Sequence, residues 1–434
     1  MKRIAISLDT MSPLAIRADH APGGMATASY IPGSTFLGSL AAAHRMVRSD
    51  QMREFEQLFL SGEILYSNLY PAAFKKQWME NTANPVYPVP LTAQSCKRHK
   101  GFRPLNPEDE DEERHGVRDT LFDWAIYKKI EPSNSSSTSP EVLQQRLEIF
   151  QRHKECPTCK SAMDHFEGFY RRETSEPYRP HSVVIDSHKR LRTHTGINRG
   201  LGSVQEGILY NRQVFEEDMR FWGEVRLPDD EQAVVAFTDF IDEVGTKGWV
   251  RIGTGRSRGM GKVTISAEEI GQDRESLETF KKRLQEFNQA LRSYVEQQKQ
   301  NLGADELALK SFYIALTLHS PAILCDDRLR YYGTIDVEAL AKQSKVTAMP
   351  FTPLYHAANV RRIMGWNELW GMPRGHEFAI DTGSVFLYEC EAEPDETIYR
   401  ALYDLEDEGI GRRRAEGFGR VRFSDPFHLE VKLR

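Results

Sequence analysis

The sequence has few cysteines, no long apolar run and no excess of positive charge. Its five cysteines are an odd number with uneven spacing, which argues against a disulfide framework and for a reducing compartment. No apolar stretch approaches the ~20 residues that a membrane-spanning helix needs. The opening MKRIAISLDT enters an alternating pattern and lacks the apolar region of a signal peptide. We therefore expect a cytoplasmic protein without a membrane contact.

The formal net charge of −6 argues against a protein covered by positive potential. It does not exclude a nucleic-acid partner, because affinity depends on local neutralisation of phosphates. Acidic residues are concentrated at 107–114 (PEDEDEER) and at 272–306, whereas basic residues cluster at 171–199, 247–262 and 412–422. With 434 residues, of which 40% are hydrophobic, the chain can form two or three domains with buried cores.

One basic stretch, RIGTGRSRGMGKV at 251–263, looks at first like a nucleotide-binding loop. It is not a Walker A motif, because Lys262 is followed by Val263 and Arg256 stands where the first glycine should be. It is not a dinucleotide fingerprint either, since a β-prone segment follows it and not a helix. A mononucleotide site is therefore disfavoured.

A second copy of this stretch, GIGRRRAEGFGRVRF, occupies 409–423. The segments RIAISLDTMSPLAI (3–16) and FYIALTLHSPAIL (312–324) also resemble each other, because both run as an alternating strand into Ser-Pro and a short apolar stretch. These matches predict a duplicated unit that begins with the strand and ends with the basic glycine loop. Chance similarity of short β segments is the alternative.

The predicted fold class is α+β, with two ferredoxin-like domains of the RRM type. Gly33-Ser34 supplies a turn and a helix N-cap after the first strand, and a strand followed by a capped helix is half of a βαββαβ unit. The serine-rich EPSNSSSTSP is too polar to order easily. The predicted divisions are a first domain over 1–266 with an insertion at about 90–180 that contains a disordered loop at 106–145, a bridging helix over 267–307, and a second domain over 308–434.

Two pairs of residues in the insertion have the spacing of a zinc knuckle. A two-residue gap lets both side chains of a pair reach one tetrahedral ion, and zinc favours thiolate and imidazole ligands. A redox role for the Cys-x-x-Cys pair lacks the expected βαβ context. Unligated thiols remain the alternative, with His153 and His165 as rival fourth ligands. The spacing predicts a structural zinc ion bound by Cys96, His99, Cys156 and Cys159.

The two glycine loops and the tract SHKRLRTHTGINRG (187–200) favour nucleic acid as a ligand. A glycine-rich loop before an edge strand exposes backbone amides, and flanking arginines add charge and planar donors, which together suit the phosphates of an RNA strand. The 187–200 tract is predicted to form a projecting basic hairpin. Any one of its basic residues, considered alone, is equally well explained as an exposed charge that keeps the protein soluble.

The order of these motifs resembles the RAMP superfamily of CRISPR effector subunits. The resemblance is carried by the duplicated unit, by IPGSTFLGSLA on the first helix and by the terminal G-x-G-x₃₋₅-G-x-G loop. The basic hairpin followed by EGILY, and GW…MP…AIDTGSVF, are similar to the large double-RRM subunit of type III complexes. PLTAQSCKRHKGF and HGVRDTLFD are most similar to the subtype III-D subunit, which caps the repeat-derived 5′ handle of the crRNA. The similarity covers nearly the whole chain.

This resemblance implies that crRNA contacts both glycine loops, the Gly33–Gly38 helix start and the 187–200 hairpin. It also implies contacts with a large polymerase/cyclase-type subunit, with backbone RAMP subunits and with target RNA. The residues expected to bind RNA are Gly33, Ser34, Lys189, Arg190, Arg192, His194, Arg199, Gly253, Arg256, Arg258, Gly259, Gly261, Lys262, Gly411, Arg412, Arg413, Arg414, Gly417, Gly419 and Arg420.

The resemblance leaves the question of catalysis open. Relatives that mature crRNA use a general acid or base, often histidine, near the first helix; here His44 and His20 are the candidates. RNA self-cleavage needs only a positioned 2′-hydroxyl, a base and an acid. We expect a non-catalytic crRNA-binding subunit. The alternatives are a metal-independent endoribonuclease of the same superfamily and a zinc-stabilised scaffold whose basic patches face acidic partner subunits.

Overall fold

The computed structural model describes residues 1–18, 26–74, 85–103, 114–130, 140–172, 180–183, 188–198, 200, 203–270, 274–302, 307–367 and 371–430. No helix in these ranges is both long enough and apolar enough to cross a membrane.

The elements up to the end of the first sheet are β1 Lys2–Thr10, α1 Gly33–Val47, α2 Met52–Phe55, β2 Leu65–Tyr66, β3 Tyr70–Phe74, β4 Val86–Pro88, β5 Ala93–Cys96, β6 Val117–Asp119, α3 Leu121–Lys129, α4 Pro140–Lys154, β7 Met163–His165, β8 Phe169–Arg172, β9 Pro180–Val183, β10 Lys189–Asn198, β11 Ser203–Phe215, β12 Met219–Leu227, α5 Glu231–Val244 and β13 Val263–Glu269. A π-helical turn, Glu56–Leu60, follows α2, and a 3₁₀ turn, Arg256–Arg258, lies before β13.

The remaining elements are α6 Leu277–Leu302, β14 Phe312–Leu318, α7 Val337–Gln343, β15 Thr352–Ala357, β16 Val360–Ile363, β17 Trp366–Asn367, β18 Met372–Pro373, β19 Glu377–Ile380, β20 Val385–Cys390, α8 Glu396–Glu408, β21 Val421–Phe423 and α9 Phe427–Glu430. A 3₁₀ turn, Arg414–Glu416, lies before β21.

The first sheet has the antiparallel order β13-β1-β12-β2, with β3 also paired to β12. Along β1, the buried Ile4, Ile6 and Leu8 alternate with half-exposed residues, which is the pattern of a strand covered on one face. Helices α1 and α5 cover that face with side chains such as Phe36 and Phe237. The unit therefore has the element order β-α-β-β-α-β.

The second sheet has the equivalent antiparallel order β15-β20-β14-β21, with α7 and α8 as its helices. Unlike β1, strand β14 is buried at every residue. Ile314 and Leu316 pack in the core formed with α7 and α8, whereas Tyr313 and Ala315 pack against α6 and α3 on the opposite face. The expected alternation of this strand is wrong because helices cover both faces of the sheet.

The insertion forms two small sheets, β4-β8-β9 and β6-β5-β7, together with α3 and α4. It packs on the second unit: the Trp124 ring stacks on Tyr355 with centroids 5.6 Å apart, and Nδ1 of His428 lies 2.8 Å from Oδ2 of Asp119. The expectation of a disordered loop over 106–145 is therefore wrong for β6, α3 and the start of α4. The rest of that segment lies outside the described residues.

The helix expected to bridge the two units over 267–307 also belongs to the second unit's packing. Strand β13 continues to Glu269, and α6 begins only at Leu277. Phe280 and Leu284 of α6 lie in the core below the second sheet, and Phe287 lies in the core on its other face. The helix is therefore a layer of the second unit.

A buried charge network joins the two units at the end of α8. Nη2 of Arg3 lies 3.0 Å from Oδ1 of Asp407, and Nη1 of Arg226 donates to the carbonyl oxygens of Asp407 at 2.7 Å and Glu406 at 3.1 Å. Although burial opposes its ionisation, Arg226 and Arg3 hold the pKa of Asp407 below its usual value. Arg226 of β12 thus binds the last carbonyls of a helix in the other unit, where cations are favoured, and Arg3 of β1 binds a carboxylate of the same helix.

The start of α1 differs from the expected Gly33-Ser34 cap. The helix begins at Gly33, with Pro32 as N-cap and no side-chain cap, and the Gly33 N–H donates to Oδ1 of Asn68 at 2.8 Å. A Cβ at Gly33 would lie 2.7 Å from the carbonyl oxygens of Glu416 and Tyr66. Gly33 therefore permits close contact between α1 and the second glycine loop.

Gly33→Ala is expected to lower the free energy of unfolding by about 1–3 kcal/mol, because the added methyl group forces two packed segments apart. The matched control is Gly38→Ala in the same helix, where a Cβ would meet no atom within 4 Å. That change should stabilise the chain by about 0.5–1 kcal/mol. Urea denaturation of both variants measures the difference, and equal effects of the same sign would contradict the predicted contact.

Candidate RNA interface and metal centre

The two glycine loops are anchored by the same set of hydrogen bonds. In each unit the proline carbonyl and the serine Oγ of the Ser-Pro turn accept bonds from two successive loop amides. The pairs are Pro13 with Gly261 at 2.9 Å and Ser12 with Lys262 at 2.8 Å in the first unit, and Pro321 with Gly419 at 2.8 Å and Ser320 with Arg420 at 2.8 Å in the second. The similarity between the two Ser-Pro turns and between the two glycine loops in the sequence thus corresponds to a repeated structure.

Glycine is required at the last position of each loop. A Cβ at Gly261 would lie 2.1 Å from the carbonyl oxygen of Ile252, and one at Gly419 would lie 1.8 Å from that of Ile410. Both glycines also have positive φ angles, of 77° and 73°. A side chain would be excluded by both the close backbone approach and the left-handed conformation.

The first loop, residues 253–261, is open to solvent and lies beside the hairpin formed by β10 and β11. Arg256 and Arg258 are exposed on its 3₁₀ turn. From the hairpin, Nη1 of Arg212 donates to Oγ1 of Thr254 at 3.3 Å, and Arg258 hydrogen-bonds the Tyr210 hydroxyl. The 187–200 tract, which was expected to form a projecting hairpin, supplies one strand, β10. The hairpin is formed with β11, and one of its faces lies against the loop.

Positive charge surrounds His194 at this contact. Its ring stacks on Tyr210, with centroids 5.2 Å apart and an interplanar angle of 20°. Burial, followed by the charges of Arg212, Arg258 and Arg192, lowers the pKa of His194. Within the described residues, Arg212 and Arg258 form no ion pair with a carboxylate, whereas Arg192 lies 3.8 Å from Glu217. Unneutralised arginines that converge on one histidine form a site suited to an anion.

Removing one of these arginines should raise the pKa of His194. Arg258→Gln takes away a nearby positive charge, so protonation of the imidazole becomes easier and the pKa moves up toward the ordinary value of about 6.5. NMR titration of the histidine ring signals measures the shift. Lys282→Gln, on exposed α6 in the other unit, serves as the control and should leave the titration unchanged. An unchanged titration in Arg258→Gln would contradict the proximity of the two groups.

A groove of about 380 Å³ opens next to the first loop. It is lined by residues 15–17 after the Ser-Pro turn, by Ala26 and Thr27, and by Arg212, Gln213 and Thr254. The exposed Arg17 adds another cation at its edge. The loop, the hairpin and the groove together make one positively charged surface of the first unit, which we call the first-loop surface.

Other cations of the hairpin are partly neutralised. Arg190 lies 3.1 Å from Glu217 and 3.6 Å from Glu216, and Nζ of Lys189 lies 5.4 Å from the Phe215 ring centroid. The predicted Arg199 lies outside the described residues. The opposite face of the hairpin, which the sequence did not single out, exposes Leu191 and Leu209.

The second loop, residues 411–419, lies against the first unit and its charges have partners within the chain. Arg413 binds Glu377 at 2.8 Å and Glu416 at 2.7 Å, and Nη2 of the buried Arg420 donates to the carbonyl oxygen of Leu65 at 3.3 Å. Gly33 and Gly417 face the same interface, while Gly411 lies at the loop's start. Arg412 and Arg414 are half-exposed and lie 3.8 Å from Glu377 and 3.7 Å from Glu408. The structure thus gives the two loops different surroundings.

The catalytic candidate on α1 lies in the core. His44 is fully buried among Phe55, Phe59 and Phe240, and its Nε2 lies 2.8 Å from Oε1 of Glu54. A side chain without solvent contact has no access to an RNA 2′-hydroxyl, so this burial argues against a catalytic role for His44. His20, the other candidate, lies outside the described residues.

The insertion contains a compact group of four metal-ligating side chains. Their donor atoms all lie within 4.8 Å of one another. The sulfur atoms of Cys96 and Cys159 are 3.5 Å apart, and Nδ1 of His115 lies 3.3 Å from Sγ of Cys156. Ligands at about 2.0–2.3 Å from a tetrahedral zinc ion are separated by roughly 3.5–3.8 Å. The donor set and its spacing therefore fit a metal ion with no open coordination position.

The expected ligand His99 is replaced in this group by His115. The His99 backbone N–H donates to Sγ of Cys96 at 3.4 Å, and its ring stacks on His115 with centroids 4.2 Å apart. His115 precedes β6, which pairs with β5 and so brings this residue beside Cys96. A two-residue spacing in the sequence identifies ligands that are close along the chain. His115 reaches the site only because β6 pairs with β5, and strand pairing of this kind leaves no spacing pattern in the sequence.

Neither of the rival ligands belongs to this group of four donors. His153 packs on Trp124 at 5.1 Å and lies 3.6 Å from Asp123, and His165 lies 3.8 Å from Glu167. Hydrogen bonds from the side chain and backbone of Ser161 lower the pKa of Cys159 to about 6, which favours the thiolate form that metals bind.

A family model described as the RAMP superfamily matches residues 7–264, which run from β1 to the start of β13. The chain belongs to the RAMP superfamily. The matched range contains both the first-loop surface and the metal centre. Both features are therefore part of the RAMP unit itself or of its insertion. A search of the curated proteins finds no match to this RAMP chain.

Solved structures show distant similarity to this RAMP chain. A chain of the type III-B Cmr-beta complex bound to cognate target RNA is 11% identical, with 88% of this chain and 86% of that chain covered and a TM-score of 0.39. Cmr4 from Pyrococcus furiosus is 11% identical, with 62% and 99% covered and a TM-score of 0.26. A chain of a type IV-B CRISPR complex is 15% identical, with 63% and 93% covered and a TM-score of 0.25.

Proposed function

We propose that this RAMP-superfamily chain is a non-catalytic crRNA-binding subunit of a type III CRISPR interference complex, of the subtype D kind, and that it holds the repeat-derived 5′ handle. The observation that carries the proposal is the first-loop surface, where Arg212 and Arg258 lie beside His194 and, among the described residues, form no ion pair with a carboxylate. We infer RNA as the class of ligand from the family, and the first-loop surface as its binding site from the arrangement of these arginines.

The chemistry of the first-loop surface suits a single RNA strand. Phosphates are attracted by the unpaired arginines and by Lys262, and the stacked His194 and Tyr210 offer aromatic faces to a base. The RNA-binding residues we retain are Lys189, Arg192, His194, Gly253, Arg256, Arg258, Gly259, Gly261 and Lys262, together with the newly identified Tyr210 and Arg212.

The second loop has a different role in this proposal. Its Arg413 and Arg420 stabilise the contact between the units, so RNA contact there is limited to the half-exposed Arg412 and Arg414. Each unit is a ferredoxin-like domain; its β-α-β-β-α-β order and its sheet order support this description. The metal is a structural zinc ion, held by Cys96, His115, Cys156 and Cys159, that fixes the insertion on the second unit.

The proposed partners are crRNA, target RNA, a large polymerase/cyclase-type subunit and backbone RAMP subunits; a cytoplasmic location stays a prediction. Among the described residues no observation favours an endoribonuclease, because His44 is buried. A scaffold role without RNA would leave unexplained why Arg212 and Arg258, among the described residues, form no ion pair with a carboxylate.

Binding of the purified chain to a fluorescent repeat-derived handle RNA tests the proposal. We expect tight, salt-dependent binding that exceeds binding to a shuffled RNA of the same length, and no cleavage of precursor RNA in EDTA. Equal affinity for the handle and the shuffled RNA would reject handle recognition. A discrete cut that is lost in His20→Ala would favour the endoribonuclease.

A further inference from the structure

A second group of unpaired cations lies around the metal centre. Lys97, Arg98 and Lys100 follow the ligand Cys96 and are exposed. Within the part of the chain that the structure describes, none of these three side chains forms an ion pair. The Lys97 N–H donates to the carbonyl oxygen of Ala162 at 2.9 Å, so this loop lies beside the loop that carries Cys156 and Cys159. We call these two loops the metal knuckle.

A groove of about 760 Å³ runs between α4 and the metal knuckle. Its lining includes the apolar side chains of Leu147, Phe150 and Pro157, and the cations Lys154 and Lys160. Glu148 and Glu155 also line the groove. Arg118 lines it too, and this arginine forms an ion pair with Asp123. The groove thus combines apolar side chains with charged ones, and one of its cations, Lys160, follows the ligand Cys159 in the metal knuckle.

The packing of α4 explains why an aromatic ring is exposed there. Ile149 and His153 are buried against α3, which directs Phe150 and Leu147 away from it; their exposed fractions are 40% and 52%. Nζ of Lys154 lies 4.4 Å from the Phe150 ring centroid. An exposed aromatic face next to a lysine is the combination on which single-stranded nucleic acids stack.

We propose that the metal knuckle and the α4 groove form a second binding surface for single-stranded RNA. Phosphates would be bound by Lys97, Arg98 and Lys100, and a base would stack on Phe150 between Lys154 and Lys160. The surface shares no residue with the first-loop surface and does not depend on it. The unpaired cations favour RNA over a protein segment, which would use the exposed Leu143 and Leu147 of α4.

The test measures anisotropy of a fluorescent 12-nucleotide oligouridylate and of the handle RNA with the full-length, metal-containing chain. Lys97→Gln/Arg98→Gln/Lys100→Gln should weaken oligouridylate binding at least about tenfold and lower the salt slope by roughly two, because each phosphate contact on a single strand contributes about 0.7. Phe150→Ala should weaken it several-fold. The matched control, Lys282→Gln/Lys342→Gln/Lys345→Gln, removes three exposed lysines and should have no effect.

Cross-linking of 4-thiouridine RNA, followed by peptide mapping, separates the two surfaces. Cross-links at Phe150 or in residues 97–103 support the second surface, and cross-links in residues 203–215 support the first. If the knuckle variants bind both RNAs normally while Arg212→Gln/Arg258→Gln loses binding, the second surface is rejected and the proposed function stands. If the knuckle variants bind RNA normally but fail to co-assemble with purified partner subunits, the groove binds protein and the inference is overturned.

Discussion

His115→Ala should release the metal ion and unfold the insertion, whereas His99→Ala should do neither. His115 is buried with its Nδ1 3.3 Å from Sγ of Cys156, whereas the His99 ring stacks on His115 and does not belong to the group of four donor side chains. Structural zinc stabilises small zinc-binding domains by on the order of 10 kcal/mol. We therefore expect the metal content of His115→Ala to fall from about one ion per chain to well under half. Elemental analysis and thermal unfolding measure both effects.

The comparison between the two histidines controls for the general loss of an imidazole. Cys390→Ser is a second control, because this cysteine is buried in β20, away from the metal centre. Its variant should retain the metal ion even if it is less stable. Loss of metal in His99→Ala together with retention in His115→Ala would show that the original assignment from spacing was right and the observed group wrong.

Arg212→Gln/Arg258→Gln should weaken binding of the handle RNA by about 150-fold or more. Among the described residues these side chains form no ion pair with a carboxylate, so each can bind a phosphate, and a charged hydrogen bond contributes about 1.5 kcal/mol or more. The slope of log affinity against log salt should fall by about 1.4, since two contacts of about 0.7 each are lost. Fluorescence anisotropy at several salt concentrations gives both numbers.

The control for this pair is Arg412→Gln/Arg414→Gln, which removes the same number of arginines from the second loop. Because these arginines lie near Glu377 and Glu408, their loss should change affinity by less than about threefold. Equal losses in the two double variants would mean that both loops grip RNA. A loss confined to the second loop would contradict the first-loop surface.

Local patterns in the sequence were sufficient to predict the repeated unit and three of the four residues of the metal centre. Ser12-Pro13 and Ser320-Pro321 precede matching apolar stretches, and the structure shows the same hydrogen bonds from each turn to its glycine loop. Cys156 and Cys159 are neighbours along the chain, so their spacing alone predicts a shared ion. Such features depend on a few consecutive residues, which is the range over which sequence patterns are informative.

Contacts between distant segments decided which loop is exposed, which residue is the fourth metal ligand and where the insertion packs. Which of two equivalent basic loops stays open depends on how the units pack: Gly33 admits the second loop against α1, and the first loop remains accessible. The fourth metal ligand comes from a neighbouring strand, and the insertion covers a sheet of the other unit. His44 looks the same in sequence whether it faces solvent or three phenylalanines. The sequence by itself determined the repeated units and their anchoring turns, while the tertiary structure decided which charges are paired. The reason is that their carboxylate partners are brought close by folding: Glu377 lies 36 residues from Arg413 along the chain, and Asp407 lies 404 residues from Arg3.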